Sequence, residues 1–281
     1  MAREVNVQAV ETLVKELCIE ANLVLRTDVL DELKEAYEKE KDESSAKKVL
    51  GVLVENAKIA KEERLPICQD TGAAAVFLEI GEEVHFTGNV KDAVNSGVED
   101  AYNEANLRKS IVSDPIMREN TGTNTPAFVH IDIAKGDKIN ISVMPKGFGS
   151  ENKSRTVMLN PTCGEDAIID FCVETVKLAG PDGCPPYVLG IGIGGTMDAC
   201  TLEAKKALLR PINKDNPSRH IAEMEKKIKE KANSLDIGVM GLGGNSTVIG
   251  VNINEIHTHI AGMPVAVNIS CHALRSATGT I

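Results

Sequence analysis

The sequence contains no tryptophan, and three tyrosines and five phenylalanines make aromatic residues only 3% of its 281 residues. Proteins that stack bases, or that line a pocket with aromatic rings, need more such side chains than this. The charge balance points the same way, because 31 basic and 41 acidic residues give a net charge of -10, which repels a phosphate backbone. We therefore expect no nucleic-acid partner and a small polar ligand.

Two other features are absent, a membrane span and a disulfide framework. No uninterrupted apolar run approaches the roughly 18 residues that cross a bilayer, so no membrane association is expected. Seven cysteines occur without a signal peptide, which favours a reducing compartment over an extracellular one. We expect a cytoplasmic protein.

The spacing of apolar residues predicts a helical N-terminal segment over residues 1–64. Apolar residues recur three and four positions apart in two stretches of this segment, with a candidate N-cap at Ser44 or Ser45 between them. Beyond it, short apolar runs broken by glycine are typical of strands and turns, and helical spacing returns in GEDAIIDFCVETVKLAG, MDACTLEAKKALLRP and HIAEMEKKIKEKANSL. We predict a mixed α/β (α+β) fold, a single domain over residues 1–281 with no internal repeat.

Three cysteines lie in separate loops of glycine, proline and polar residues: Cys68 in ICQDTG, Cys184 in DGCPPY and Cys271 in NISCHA. Three thiolates can hold an iron–sulfur cluster, and because a cubane cluster takes four cysteines, one iron would stay open for Lewis-acid chemistry. The spacing of the cysteines does not decide which of them are ligands, because Cys163 in NPTCGED is as plausible as Cys68 on local grounds. A single cysteine is also most often an unreactive residue of the core. The remaining cysteines lie on apolar helix stripes and are expected to pack in the core: Cys18, Cys172 and Cys200.

A glycine-rich motif offers a different function. Gly190, Gly192 and Gly195 satisfy G-x-G-x-x-G after a strand-like run and before a helix, which is the pattern of dinucleotide binding. A dinucleotide-binding fold needs a second strand that ends in an acidic residue about 20 positions after the glycines. In this sequence the corresponding segment is ALLRPINKDNPSRH, which contains no predicted strand. We favour a tight strand-to-helix turn and keep a dinucleotide-dependent oxidoreductase as the alternative.

Polar residues near the cysteine loops could act on an anion. Gln69 and Asp70 directly follow the first loop cysteine, so a ligand that fixed this loop would also place a carboxylate near the metal; the alternative for Asp70 is an Asx turn or a helix cap. Arg108 in ANLRKS would otherwise be a helix-surface cation. Lys146 precedes Gly147 in KGFGSENKS, where glycine permits close backbone approach and lysine complements negative charge.

Two histidines, His257 and His259, occur in IHTH at the end of the alternating segment STVIGVNINEIHTH. Residues two apart on a strand point to the same side, so we expect these side chains to share a face. They could form a zinc pair, but no third ligand is evident nearby.

Seven motifs resemble, in order, the N-terminal half of class I, iron–sulfur-dependent fumarases and the alpha subunit of the related L-tartrate dehydratase: ICQDTG, NLRKS, ENTGTNTPA, MPKGFGSENKS, GCPPYVLGIGIGGTMDACTLEAKKALLR, GLGGNSTVIGV and HTHIAGMPVAVNISCHALR. The resemblance runs from about residue 5 to the C-terminus. It implies a hydro-lyase with a 4Fe-4S cluster held by Cys68, Cys184 and Cys271, and it argues against Cys163 as a ligand.

The resemblance also implies roles for the polar residues. The open iron would bind a hydroxyl and a carboxylate of a small dicarboxylate substrate, and Asp70 would act in proton transfer at the hydroxyl. His259 is expected close to the site. Gln69, Arg108 and the backbone amide of Gly147 are expected to hold the substrate carboxylates. Lys146 is a further candidate for substrate binding, because its charge complements theirs.

Single-polypeptide members of the resembling family continue into a second domain with further substrate-binding groups, whereas this sequence stops at residue 281. We therefore expect a separate beta subunit that completes the active site in an α2β2 heterotetramer, with HALRSATGTI where a linker begins in fused forms. Fumarate, interconverted with (S)-malate, is favoured as substrate because the tricarboxylic acid cycle is the commoner setting. L-tartrate, with oxaloacetate as product, and a non-catalytic scaffold subunit are the alternatives.

Overall fold

The computed structural model describes residues 3–281, which fall into two compact units. The first unit contains the described residues up to Arg26, together with Ala57–Phe148 and Arg275–Ile281. The second contains Thr27–Asn56 and Gly149–Leu274. Helices and strands occur in both units, which confirms the mixed α/β class. That residues 1–281 act as a single cluster-binding domain stays a prediction.

The N-terminal segment is largely helical, as its apolar spacing predicts. It forms α1 (Val7–Leu23), α2 (Thr27–Lys39) and α3 (Ser45–Glu63). Ser44 caps α3, because its Oγ accepts a hydrogen bond from the amide of Lys47 at 3.1 Å. None of the helices within residues 3–281 combines the length and the apolar character needed to cross a membrane.

One element of this segment was not predicted, the short strand β1 (Arg3–Val5), which pairs in parallel with β3 (Val84–Phe86). The first unit also contains a four-stranded sheet in the order β10–β5–β2–β4, in which only β2 and β4 are parallel. Its strands are β2 (Ala73–Gly81), β4 (Phe128–Ala134), β5 (Ile139–Lys146) and β10 (Ala277–Thr280). Helix α1 and helix α4 (Val90–Glu104) pack together over this sheet and form the core with its buried residues.

The second unit contains another four-stranded sheet, in the order β6–β9–β7–β8, in which only β7 and β8 are parallel. Its strands are β6 (Arg155–Leu159), β7 (Tyr187–Gly194), β8 (Val248–Ile256) and β9 (Met263–Ser270). Besides α2 and the first part of α3, this unit contains the short α5 (Phe148–Glu151), which begins at the unit boundary, and the helices α6 (Gly164–Ala179), α7 (Met197–Ala207) and α8 (Arg219–Asn233). The main core lies between the sheet and the pair α6 and α8, and α7 covers the opposite face.

The two units share one strand topology, a repeat that the sequence analysis did not detect. In each, a central strand (β2 or β7) is followed in the chain by its parallel neighbour and then by an antiparallel neighbour on its other side. Because β5 and β9 run against their central strands, the loop before each central strand meets the loop after the antiparallel strand at one end of the sheet. All three predicted cluster cysteines lie in such loops.

The GIGIGG motif lets a helix approach the sheet. A Cβ atom at Gly190 would lie 2.1 Å from the carbonyl oxygen of Ala204, and one at Gly192 would lie 2.1 Å from that of Cys200. Both oxygens belong to α7, so these glycines allow α7 to pack directly on β7. The regular element that follows α7 in the chain is the helix α8 and not a strand. The motif therefore lacks the second strand that a dinucleotide-binding site requires.

Replacing Gly192 by alanine is expected to lower the free energy of unfolding by about 3 kcal/mol or more, because the new methyl group would overlap backbone atoms of α7. Urea unfolding followed by circular dichroism measures the change. Gly149→Ala is the matched control, since among residues 3–281 no atom beyond its chain neighbours and its own helix backbone lies within 4 Å of its Cβ position. A Gly192→Ala chain as stable as this control would contradict the packing argument.

Candidate active site

The loop Cys68–Gly72 in the first unit is fixed by buried side chains. Its cysteine is half-buried, and the carbonyl oxygen of Asp70 accepts a hydrogen bond from Arg275 Nη2 at 2.7 Å. The hydroxyl of Tyr102 lies 2.6 Å and 2.9 Å from the next two carbonyl oxygens, and Asn124 Nδ2 donates to the second of these at 3.2 Å. Three successive carbonyls are therefore held from beneath the loop.

The carboxylate of Asp70 is held by two backbone amides. Its Oδ1 accepts from the amide of Gly72 at 3.0 Å, and its Oδ2 accepts from the amide of Phe148 at 2.9 Å. The turn that the sequence offered as the alternative role of Asp70 is thus present. Since an ionised carboxylate has about four acceptor positions, these two bonds orient Asp70 without preventing it from meeting a substrate proton.

The other predicted residues of this unit gather around the same loop. Lys146 is 3% exposed, and its Nζ donates to the carbonyl oxygen of Gly147 at 3.1 Å. A Cβ atom at Gly147 would lie 3.3 Å from Asp70 Oδ2, so this glycine packs against the carboxylate. Arg108 and Gln69 have exposed side chains, and the carbonyl oxygen of Arg108 accepts from Thr71 Oγ1 at 2.8 Å within the loop.

In the second unit the structure brings Cys184 and Cys271 to the same end of the sheet. Cys184 precedes β7, Cys271 follows β9, and the carbonyl oxygen of Cys184 contacts both His272 N at 3.4 Å and His272 Nδ1 at 3.1 Å. Cys184 is exposed and has φ +59°, a left-handed conformation that costs a non-glycine residue about 1 kcal/mol. Such strain occurs disproportionately at functional sites.

Tyr187 supports the turn that carries Cys184. Its hydroxyl donates to the carbonyl oxygen of Gly180 at 2.7 Å and accepts from the amide of Gly183 at 3.1 Å. Burial raises the pKa of Tyr187 to about 12, and nearby Cys184 and Cys271 add smaller effects in the same direction. Both cysteines therefore lie close to one buried tyrosine.

The histidine prediction needs a correction. Strand β8 ends at Ile256, so His257 and His259 lie in the following loop and do not share a strand face as expected. His259 and Cys271 lie beyond opposite ends of β9, whose eight residues span about 25 Å. The structure thus does not bring His259 to the two cysteines of its unit, and its catalytic role stays a prediction.

The three cysteines assigned to the core are buried, which confirms that prediction. Burial raises the pKa of Cys18 to about 12 and that of Cys200 to about 11, and it raises the pKa of Cys172 as well. The thiolate is the form that binds metals, so these three are poor ligands. Cys163 is half-buried just before α6 and stays accessible.

The residues of the loops fit an iron–sulfur cluster, because their cysteine thiols are accessible to a metal. The cysteines in the helices are buried and are not accessible. Cys68 belongs to the first unit, and Cys184 and Cys271 belong to the second. Neither unit by itself contains all three, and within residues 3–281 no group of three or more His, Cys, Asp or Glu side chains is arranged to hold a metal ion. The complete ligand set therefore stays a proposal.

Thiol alkylation should separate the two classes of cysteine. At pH 8 a thiol with a pKa of about 12 is roughly a thousandfold less ionised than an ordinary thiol, and burial also blocks the reagent. We expect iodoacetamide to modify four cysteines quickly in the folded, cluster-free chain, located by peptide mass spectrometry: Cys68, Cys163, Cys184 and Cys271. Equally fast modification of Cys18 before unfolding would contradict this division.

Several residues of the site were not predicted from the sequence, namely Tyr102, Arg275 and His272. Tyr102 lies on the buried face of α4, and an isolated tyrosine in a helix carries no signal of a loop contact. The segment HALRSATGTI was interpreted as the place where a linker begins. In the structure Arg275 of this segment is buried and bonds to the Cys68–Gly72 loop, and Ala277–Thr280 form β10.

The fumarate hydratase (fumerase) family matches residues 11–280. An alpha subunit of L(+)-tartrate dehydratase, provisionally so named, from Methanocaldococcus jannaschii is 44% identical over 276 residues, which cover 95% of this chain and 96% of that protein. The L(+)-tartrate dehydratase alpha subunits of Escherichia coli K12 and Shigella boydii are each 32% identical over 254 residues, or 89% of this chain and 84% of theirs.

These matches, with the fold and the loop residues above, define an enzyme of the hydro-lyase class. The chain belongs to the fumarate hydratase (fumerase) family, which confirms the resemblance seen in its motifs.

Proposed function

We propose that this chain is the alpha subunit of a two-subunit iron–sulfur hydro-lyase that adds water to, or removes water from, a four-carbon dicarboxylate. The family match over residues 11–280 carries this proposal. The arrangement of each unit supports it, because residues that can bind an anion lie next to Asp70 in one unit, and in the other the loops of two accessible cysteines, Cys184 and Cys271, are in contact.

Cys68, Cys184 and Cys271 would hold a 4Fe-4S cluster. When bound, such a cluster supplies a Lewis acid through the iron that has no protein thiolate. Cys163 is left out, because the resemblance of the sequence motifs to the family implies that the other three cysteines are the ligands. A cytoplasmic location belongs to the proposal, since ligand thiols must stay reduced.

The chain's own residues would bind and orient the substrate. Asp70 would transfer a proton at the substrate hydroxyl, with its carboxylate aimed by the amides of Gly72 and Phe148. A dicarboxylate carries two negative charges that need donors and cations placed in advance. The groups proposed to hold them are the side chains of Gln69, Arg108 and Lys146 and the backbone amide of Gly147.

Fumarate, hydrated to (S)-malate, is the first substrate candidate, in keeping with the name of the family. L-tartrate is the second, favoured by the names of the bacterial and archaeal relatives. The two substrates differ in hydroxylation, and a site built to bond a hydroxyl discriminates strongly against an analogue that lacks it. One enzyme preparation assayed with both substrates therefore distinguishes the candidates.

A separate beta subunit is the proposed partner, in an α2β2 assembly. The relatives are named alpha subunits, which implies a second kind of chain. In this proposal the beta subunit contributes further cationic and hydroxyl groups and excludes water from the site.

The test is to reconstitute the cluster anaerobically in the purified chain and to assay fumarate hydration and tartrate dehydration, first alone and then with the beta subunit. We expect little turnover by the chain alone, because losing one preorganised transition-state contact typically costs a hundredfold or more. Addition of the beta subunit should restore activity. Turnover of neither substrate by the complex would overturn the proposed function, and full turnover by the chain alone would overturn the partner.

A further inference from the structure

Arg275 is a buried cation that forms no ion pair with a carboxylate among residues 3–281. The residue is only 2% exposed, and its Nη2 donates a hydrogen bond to the carbonyl oxygen of Asp70. Its Nε and Nη1 are buried and have no hydrogen-bond partner among the groups that the structure describes. Burying a guanidinium is unfavourable unless an opposite charge or hydrogen bonds compensate for its lost hydration.

The guanidinium lies next to two residues that are predicted to act on the substrate, Asp70 and Gly147. The position of a Cβ atom on Gly147 would be 3.9 Å from Arg275 Nη2 and 3.3 Å from Asp70 Oδ2, so the cation and the carboxylate adjoin the same glycine. Burial raises the pKa of Cys18 and of Tyr102. The positive charge of Arg275, which lies close to both groups, partly opposes that rise. The charge is thus confined between the helices and the Cys68–Gly72 loop.

Anchoring a carbonyl oxygen does not by itself require a cation. Tyr102, which is fully buried, serves the carbonyls of Thr71 and Gly72 with a neutral hydroxyl. The carbonyl of Asp70, which precedes these two, is held by a guanidinium. Burying that guanidinium has a large desolvation cost, although a neutral donor could make the same hydrogen bond. The positive charge therefore needs a second purpose, and an anion bound in front of Asp70 and Gly147 supplies one.

We propose that Arg275 is a positioning residue that fixes Asp70 through its carbonyl and places a positive charge behind the site, where it strengthens binding of a dicarboxylate. This inference deepens the proposed function and rests on it for the identity of the anion. It assigns Arg275 no direct contact with the substrate.

The test compares Arg275→Gln with Arg275→Lys in the reconstituted complex with the beta subunit. In Arg275→Gln we expect KM for the substrate, and the dissociation constant of the unreactive dicarboxylate succinate, to rise about tenfold or more because the charge is lost. Arg275→Lys should recover most of both losses, since an ammonium group keeps the charge and can still donate. Arg275→Met, which preserves length, serves as the neutral variant if Arg275→Gln does not fold.

Hydrogen exchange of the Cys68–Gly72 amides measures positioning without turnover, and we expect it to be about tenfold faster in the neutral variant. Arg210→Gln is the matched control, because Arg210 is another largely buried arginine but donates to the carbonyl oxygen of Lys214 and pairs with Glu225. It should lose stability while KM stays within about twofold.

Unchanged KM and succinate affinity in the neutral variant, or a lysine variant as impaired as the glutamine variant, would overturn the role of the charge. Unchanged loop exchange would overturn the positioning role. An inactive wild-type complex counts against the proposed function instead, and the exchange measurement still decides whether Arg275 positions the loop.

Discussion

Cys184→Ser is expected to abolish iron binding and to reduce hydro-lyase activity at least a hundredfold, whereas Cys163→Ser leaves both close to the wild-type level. Both cysteines precede regular elements, and the carbonyl oxygen of Cys184 contacts His272, the residue that follows the accessible Cys271. A serine hydroxyl is a poor substitute for a thiolate on iron. Iron per chain after anaerobic reconstitution and the visible absorbance of the cluster give the measurement.

The backbone of Cys184 provides a way to separate a ligand from a structural residue. Because its φ of +59° favours glycine, Cys184→Gly should raise the free energy of unfolding of the cluster-free chain by about 1 kcal/mol. The same variant should bind no intact cluster. A gain in stability together with a loss of iron would mean that the strained cysteine is retained for its sulfur. Full iron in Cys184→Ser, or none in Cys163→Ser, would refute the assignment.

Local periodicity predicted much of this fold. The apolar stripes that carry Cys18, Cys172 and Cys200 became buried helix faces, and the cap at Ser44 begins α3, because each depends on residues within one or two helical turns. The accessible cysteine loops were also visible, since glycine, proline and polar residues interrupt the apolar runs on either side.

Features that depend on contacts distant in sequence were not predictable. Strands β4 and β5 are consecutive in the chain, yet β2 lies between them in the sheet, and nothing in either strand specifies that order. The role of Arg275 depends on a loop more than 200 positions earlier in the chain. His259 was misplaced because alternation continues past Ile256, where strand pairing stops.

Asp70→Asn is expected to lower kcat at least a hundredfold while the fold and the iron content stay near normal, if Asp70 transfers a proton at the substrate hydroxyl. The asparagine Oδ1 can still accept from the amide of Gly72, and asparagine is as common as aspartate in such turns, so the loop should keep its conformation. At the position of Oδ2 the asparagine carries Nδ2, which is a donor, so the amide of Phe148 loses its acceptor, which should cost about 1 kcal/mol of stability.

Asp70→Ala is the companion variant, because it removes the turn and the carboxylate together. If Asp70 served only as a turn residue, the asparagine variant would be active and the alanine variant would be impaired and less stable. If Asp70 moves a proton, both variants are slow, and the asparagine variant is slow despite wild-type hydrogen exchange at Gly72 and a full complement of iron. Steady-state kinetics, exchange at that amide and iron analysis on the same preparations decide between the two, and an asparagine variant with wild-type kcat would remove Asp70 from the proposed chemistry.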